Sequence, residues 1–247
     1  MSTVFFLNAF LISVRLLPLV VASPILFFTR IPLTVRVLLS LALAAVIASA
    51  LPAGKAPPVN LLVVAGELLL GAVMAFAFHA AHAALDMAGK LIDTQVGLNA
   101  AGVFDPGTSN MTGMVAELLT LTLAVLFVSL DLHHDLLRVF SALVNAVPPG
   151  TVSLALLDVS LASILTRQFL LAFLLVSPVI AGLWLIDAAF AFLSRSMPQA
   201  NVYFLALPVK LGMGVLLLLL ALPVIVQRLP LLLEQALRFA FVPGASA

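Results

Sequence analysis

His79, His82, Asp86, Lys90 and Asp93 follow one another at steps of three and four residues, the spacing that stacks side chains on one face of a helix. His-x2-His with an acid four residues further on could ligate a divalent metal. One helix would have to supply every ligand, however, and the Lys90 ammonium beside them repels a cation. A polar interface or the wall of a wet channel explains the stripe better. His133-His134-Asp135 is a weaker pattern, because adjacent helical residues point in different directions and a solvated helix face accounts for them.

Glu67, Asp187 and Lys210 stand inside otherwise apolar runs. A charge at the centre of a bilayer costs about 2.5–3.5 kcal/mol on insertion scales, so each needs a reason. A proton or ion pathway, a polar contact between subunits and a buried ion pair are the available reasons. Asp187 and Lys210, on successive arms of one hairpin, are the obvious candidates for pairing. Catalysis finds no support: there is no Ser/His/Asp arrangement near a strained turn and no pair of carboxylates in a defined cleft. Gly97, Gly102 and Gly107 lack the lysine and the preceding strand of a phosphate-binding loop.

Those glycines belong to residues 97–114, a polar, helix-breaking stretch lodged between apolar runs and containing Gly97, Gly102, Phe104, Asp105, Pro106, Gly107, Met111 and Met114. Irregular backbone at membrane depth survives only where protein or a water-filled cavity surrounds it. The stretch is therefore either a surface connection, with Asn110 capping the next helix, or part of a pore or binding site. Ala100, Ala101, Gly102 and Gly107 permit close approach of neighbouring chains. Met111 and Met114 are flexible, polarizable fillers suited to a seal.

The whole chain bounds these choices. Of its 247 residues 64% are hydrophobic and 9% charged, against roughly 25% charged in a soluble domain. Mean hydropathy is +1.30. The apolar runs are continuous rather than alternating, which makes this an all-α integral membrane protein and not a barrel. A net charge of +1 with no basic stripe argues against a nucleic-acid partner. The absence of cysteine excludes disulfides, iron–sulfur clusters and thiol catalysis. Because no Lys or Arg precedes position 15, the start reads as a retained membrane segment. The cleavage-like Val21-Ala22-Ser23 carries little weight without a charged region before it.

About six segments approach the ~20 residues that cross a bilayer: 4–28, 33–51, 59–87, 114–130, 169–193 and 205–226. Short Pro- and Gly-containing breaks between most of them predict antiparallel hairpins. Between the fourth and fifth lies an amphipathic region. There Asp131, His134, Asp135, Arg138, Ser141 and Asn145 take one side of a helix, and Leu132, Leu136, Leu137, Val139, Phe140, Leu143 and Val144 the other. Such a helix lies on a membrane or a partner. Pro148-Pro149-Gly150 ends it, and a second, shorter helix is expected over 152–167. Positive charges divide almost evenly between the two sets of loops, so orientation is undetermined and a subunit positioned by its neighbours is favoured.

One further sequence feature names a family. Ser194-Arg-Ser-Met-Pro-Gln-Ala-Asn-Val-Tyr-Phe-Leu-Ala-Leu-Pro-Val-Lys210 resembles the hairpin signature of the FliR family. In it Pro198 and Asn201 sit in Pro-Gln-x-Asn-Val, and Pro208 with Lys210 forms Pro-x-Lys. Gly66-Glu67-Leu-Leu-Leu-Gly71, the run from Ala88 to Leu98 into Phe104-Asp-Pro106, and the run from Pro24 to Arg36 are also similar to that family. The central loop is shorter than in many relatives, and Phe104 is its one aromatic residue.

The resemblance implies a single membrane domain over 1–247. Residues 1–130 would form N-terminal hairpins and the central loop, 131–168 amphipathic connecting helices, and 169–247 the C-terminal hairpin and tail. It implies a structural and gating subunit of the flagellar type III export gate, without enzymatic activity or cofactor, in the bacterial inner membrane within the flagellar basal body. FliP-type and FliQ-type subunits would complete the channel, an FlhB-type protein would dock at its base, and unfolded exported proteins would pass through. The central loop would contribute to the channel plug; Glu67, Asp187, Pro198, Asn201, Pro208 and Lys210 would serve assembly. The equivalent subunit of a virulence-type injectisome is the alternative. An autonomous secondary transporter is a more distant one, because no paired helix breaks occur in two corresponding halves.

Overall fold

The computed structural model describes residues 2–22, 31–51, 56–98, 113–152, 161–197 and 202–241. These residues contain no strand. They form eight helices: α1 (Ser2–Val21), α2 (Leu33–Ser49), α3 (Leu61–Val96), α4 (Met114–Ser129), α5 (Leu132–Ala146), α6 (Leu161–Ser196), α7 (Val202–Arg228) and α8 (Pro230–Phe241). Leu- and Ala-rich runs become helices in lipid because a helix satisfies its own N–H and C=O groups where no water can. Prolines inside α1, α6 and α7 (Pro18, Pro178, Pro208 and Pro223) each remove one such bond.

Each of the six apolar segments contains a helix, but the helix lengths differ from those the sequence predicts. Helices α1, α3 and α6 and the run Phe204–Arg238 are long and apolar enough to cross a membrane. With 17 residues, α2 falls short, and α4 has 16. The α4–α5 pair would make a fifth span if counted together, bent by 68° at the break. Asp131 makes that bend with φ 56°, the one positive φ on a non-glycine among the described residues. A short polar side chain tolerates this left-handed conformation better than most.

Two helices outgrow expectation. Both α3 and α6 run for 36 residues, about 54 Å at 1.5 Å per residue, more than the ~30 Å hydrocarbon core needs. A separate helix is expected over 152–167, of which residues 153–160 lie outside the described ones. Its described part from Leu161 is the first two turns of α6, since no breaker stands between Leu161 and Phe169. In α5, Leu132, Phe140, Leu143 and Val144 are buried within the chain, so the apolar face expected to meet a membrane or partner packs on the chain's own helices. The terminal helix α8 occupies part of the stretch that the sequence presents as a tail.

The chain divides into two compact units. The first comprises residues 1–82, 124–167 and 233–247, the second residues 83–123 and 168–232. In the first, α1 packs on α2. Arg36 fixes that hairpin by donating from Nε to the Ile31 carbonyl and from Nη1 to the Val21 carbonyl, each at 2.9 Å. The Val21 carbonyl is one of those a helix end leaves unpaired. In the second unit α6 and α7 approach closely at Gly182, where a Cβ would lie 2.7 Å from Leu217 Cδ1. Gln168 Nε2 donates to the Leu232 carbonyl at 3.1 Å.

Candidate functional site at the base of the central loop

Asp93 lies one turn before the end of α3 and has no exposed surface. Its backbone carbonyl accepts the N–H of Gly97 at 3.1 Å and of Leu98 at 3.0 Å. Gly97 also donates to the Thr94 carbonyl at 3.2 Å, and its φ is +88°. A six-to-one bond, a five-to-two bond and a left-handed glycine together make a Schellman cap. The Asp93 carboxylate meanwhile reaches the start of the next helix. Oδ1 accepts the Val115 N–H at 3.0 Å and Oδ2 the Ala116 N–H at 3.1 Å.

A carboxylate there satisfies two of the donors that a helix start leaves unpaired and opposes the positive end of the α4 dipole. One residue thus closes the helix before residues 99–112 and caps the helix after them. Small residues make room for this: a Cβ on Gly113 would collide with the Asp93 carboxylate, and one on Gly89 with the Ala116 backbone.

Beside this clamp, in the same unit, lies a cavity of about 480 Å³ lined by Thr94, Gln95 and Gly97 from the α3 end and by Asp187, Ser194 and Lys210 from α6 and α7. Lys210 Nζ meets Asp187 Oδ1 at 2.6 Å, with side-chain exposures of 18% and 42%. The pairing expected from their positions on successive arms is therefore formed. Pro208, one half-turn before Lys210 in α7, is exposed. It removes an N–H from the helix, which leaves a carbonyl of the preceding turn without its usual donor.

The first unit holds a different pair. Arg15 Nε and Glu67 Oε2 are 2.6 Å apart, and neither side chain has any exposed surface. Arg15 Nη1 also donates to the Val147 carbonyl at 3.0 Å. Glu67 Oε1 accepts the N–H of Gly150, which has φ +86°, at 2.8 Å. The pair ties α1, α3 and the turn after α5 into one network. Arg15 Nη2 is buried without a hydrogen-bond partner among the described residues. Charges this deep are held by mutual attraction plus extra hydrogen bonds, and removing either one strands the other.

Nothing local in the sequence joins Glu67 to Arg15. The available signal is that Arg15 is the basic residue inside the first apolar run. Asp93 was placed in the polar stripe of α3 rather than at the loop base, because a cap from 22 residues away leaves no local pattern.

Two further members of the stripe pair with each other. Lys90 Nζ bonds Asp86 Oδ2 at 2.6 Å, one turn apart, while His79 is exposed. Asp131, His133 and His134 offer ligand atoms within 4.8 Å of one another at the α4–α5 bend, a grouping the sequence reading did not single out. Met114, the first residue of α4, is 72% exposed. Gly102, Phe104, Asp105, Pro106, Gly107, Met111, Pro198 and Asn201 lie outside the described residues.

Residues 6–236 match the family of bacterial export proteins, family 1. The chain belongs to this family. Among its relatives, the flagellar biosynthetic protein FliR of Escherichia coli (strain K12) is 28% identical over 217 residues, covering 85% of this chain and 82% of the relative. FliR of Bacillus subtilis (strain 168) is 30% identical over 167 residues, covering 64% and 63%. The Yop proteins translocation protein T of Yersinia pestis is 30% identical over 163 residues, covering 64% and 62%. The matched region thus spans less than two thirds of the Bacillus and Yersinia proteins. Among the membrane-length runs, Phe204–Arg238 is the least buried, so its apolar side chains need lipid or other subunits to cover them.

Proposed function

We propose that the chain is a structural and gating subunit of the bacterial type III protein export apparatus, working in the flagellum. The family match over residues 6–236 carries this reading, and the flagellar names of its relatives favour the flagellar system. In this reading FliP-type and FliQ-type subunits complete the channel in the inner membrane within the basal body. An FlhB-type protein docks at the base, and unfolded proteins pass through. Residues 97–114 contribute to the plug.

The Asp93 clamp supports a gating role for that stretch. A segment flanked on both sides by helix ends that one buried residue holds, through its carbonyl and its carboxylate, can change its own path without unravelling α3 or α4. The channel wall then stays intact while the seal moves. Lys210 and Asp187, at the rim of the cavity beside the clamp, would orient the α6–α7 hairpin against its neighbours. No chemical step is required of the chain itself.

Deletion of the gene in its own host tests the assignment. Loss of flagellar filaments and of secreted flagellar proteins is expected, with both restored by the gene on a plasmid. Normal filaments together with loss of a contact-dependent secretion system would instead support the second reading, which the Yop translocation relative favours. Co-expression tests the assembly. A stoichiometric complex with FliP-type and FliQ-type chains is expected in mild detergent, and a chain that stays alone and stable would overturn it.

A further inference from the structure

Chemistry-bearing side chains also converge at the break between α4 and α5. Asp131 occupies the break, and His133 and His134 belong to the first turn of α5. An aspartate in front of a helix ordinarily accepts a backbone N–H of the first turn. Asp131 makes no such side-chain bond. Its Oδ1 faces the imidazoles instead, 3.9 Å from His133 Nε2 and 3.4 Å from His134 Nδ1. One ligand atom from each of the three residues lies within 4.8 Å of the others.

We propose that Asp131 Oδ1, His133 Nε2 and His134 Nδ1 bind one divalent cation of the zinc class, which fixes the bend between α4 and α5. Donor type argues for zinc. Two imidazoles disfavour Mg²⁺ and Ca²⁺, which take oxygen ligands, and suit Zn²⁺. Spacing agrees. Tetrahedral zinc, with bonds of about 2.0–2.2 Å, places its ligand atoms about 3.4 Å apart. The Asp131–His134 separation already has that value, and the other gaps are small enough to close by turning side chains. A water takes the fourth position, as at other zinc sites with three protein ligands, and the exposed Asp131 and His134 side chains leave room for it.

The surroundings hold the ligands in place. The His133 ring lies against those of Phe127 and His134, with centroids 6.4 and 4.2 Å away, and Nε2 is its nitrogen on the Asp131 side. Arg138, one turn further along α5, is engaged by Asp135 at 3.1 Å. With Nε2 on the metal, His133 carries its proton on the buried Nδ1, which has no partner among the described residues. Metal-bound imidazoles usually have such a partner and lose about 10–100-fold in affinity without it. Micromolar rather than nanomolar binding is therefore expected. The ion would tie the residue in the break to the first turn of α5, across the 68° bend.

Titration of the full-length chain with ZnCl₂ in mild detergent, without a histidine tag, tests the site. One equivalent of Zn²⁺ is expected to bind. Co²⁺ should give the visible absorption of a tetrahedral nitrogen–oxygen site, and Zn²⁺ should displace it. Asp131→Asn keeps a residue that tolerates the left-handed backbone, and His134→Gln changes an exposed side chain, so both should fold as the parent does. Each should weaken binding by more than about tenfold, since a direct ligand counts for at least as much as an outer partner. His79→Ala, which removes an exposed histidine outside the cluster, should leave binding unchanged. Bound Zn²⁺ should also slow hydrogen exchange at the Leu130 and Asp131 amides in the parent and not in Asp131→Asn. Zn²⁺ that binds Asp131→Asn and His134→Gln as tightly as the parent overturns the proposal, as does binding lost in His79→Ala; the cluster is then an imidazole–carboxylate contact only.

Discussion

The carboxylate of Asp93 accepts the backbone N–H of Ala116 at 3.1 Å across 23 positions of sequence, while the same residue's carbonyl closes its own helix on Gly97 and Leu98. The helix end therefore depends on the Asp93 carbonyl and the helix start on its carboxylate, in a residue with no exposed surface. Asp93→Ala leaves two buried N–H groups without acceptors. We expect a loss of about 2–3 kcal/mol, from unsatisfied donors and a lost cap together. Faster hydrogen exchange at Val115 and Ala116, with α6 and α7 unchanged, is the local signature. Unchanged exchange at those amides would show that water replaces the carboxylate.

Gly97 and Gly113 serve this clamp in different ways and should fail differently. Gly97→Ala puts a Cβ on a residue with φ +88°, 3.2 Å from Leu207 Cδ2, at a cost of about 1–2 kcal/mol. Gly97→Asn should recover most of that, because asparagine tolerates the left-handed region. Gly113→Ala pushes directly into the Asp93 carboxylate and should cost more than Gly97→Ala. Thermal unfolding of the four proteins in one detergent ranks them, and a Gly113→Ala protein as stable as the parent would refute the clamp geometry.

Arg15 and Glu67 form a more consequential pair than Asp187 and Lys210. Breaking a fully buried pair from one side costs about 3–5 kcal/mol, because the remaining charge has no partner. Arg15→Met and Glu67→Leu should each reduce the folded yield severely. The double variant should recover part of the loss, since it buries neither charge. A double variant worse than both singles would mean that the bonds to Val147 and Gly150 outweigh the ion pair.

Lys210 presents the opposite balance. Its partner Asp187 keeps 42% of its side chain exposed, so Lys210→Ala should alter the isolated chain by no more than about 1 kcal/mol. The expected defect is in assembly, read as a several-fold lower yield of the complex with FliP-type and FliQ-type chains. A complex of Lys210→Ala that assembles and exports normally would reduce the lysine to a snorkelling charge.

Replacing Phe104 through Met114 with a short Gly/Ser linker should make cells leak ions through the gate. The linker preserves the chain's continuity but removes the Phe and Met side chains that would pack the proposed seal. Membrane conductance, measured with export substrates absent, checks this. Parental conductance would place the plug elsewhere.

Much of this protein is written locally. Long Leu- and Ala-rich runs can satisfy their backbone in lipid only as helices, so the all-α membrane class and all six apolar segments follow from composition and periodicity. The amphipathic α5 and its polar face are equally readable from side-chain order. The Asp187–Lys210 pair could be anticipated because two opposite charges on adjoining hairpin arms have few other partners. The length of α6 was misjudged because an apolar helix carries no mark of where lipid begins.

Tertiary structure decided what depends on contacts between distant residues. Arg15 finds Glu67 from 52 positions away, and Asp93 caps a helix that starts 21 residues later. Neither shows in a local pattern, because the distance that sets an electrostatic or hydrogen-bond energy is spatial and the sequence records only separation along the chain. The apolar face of α5 makes the same point. Its sequence requires burial, but only the fold shows that the chain's own helices supply it.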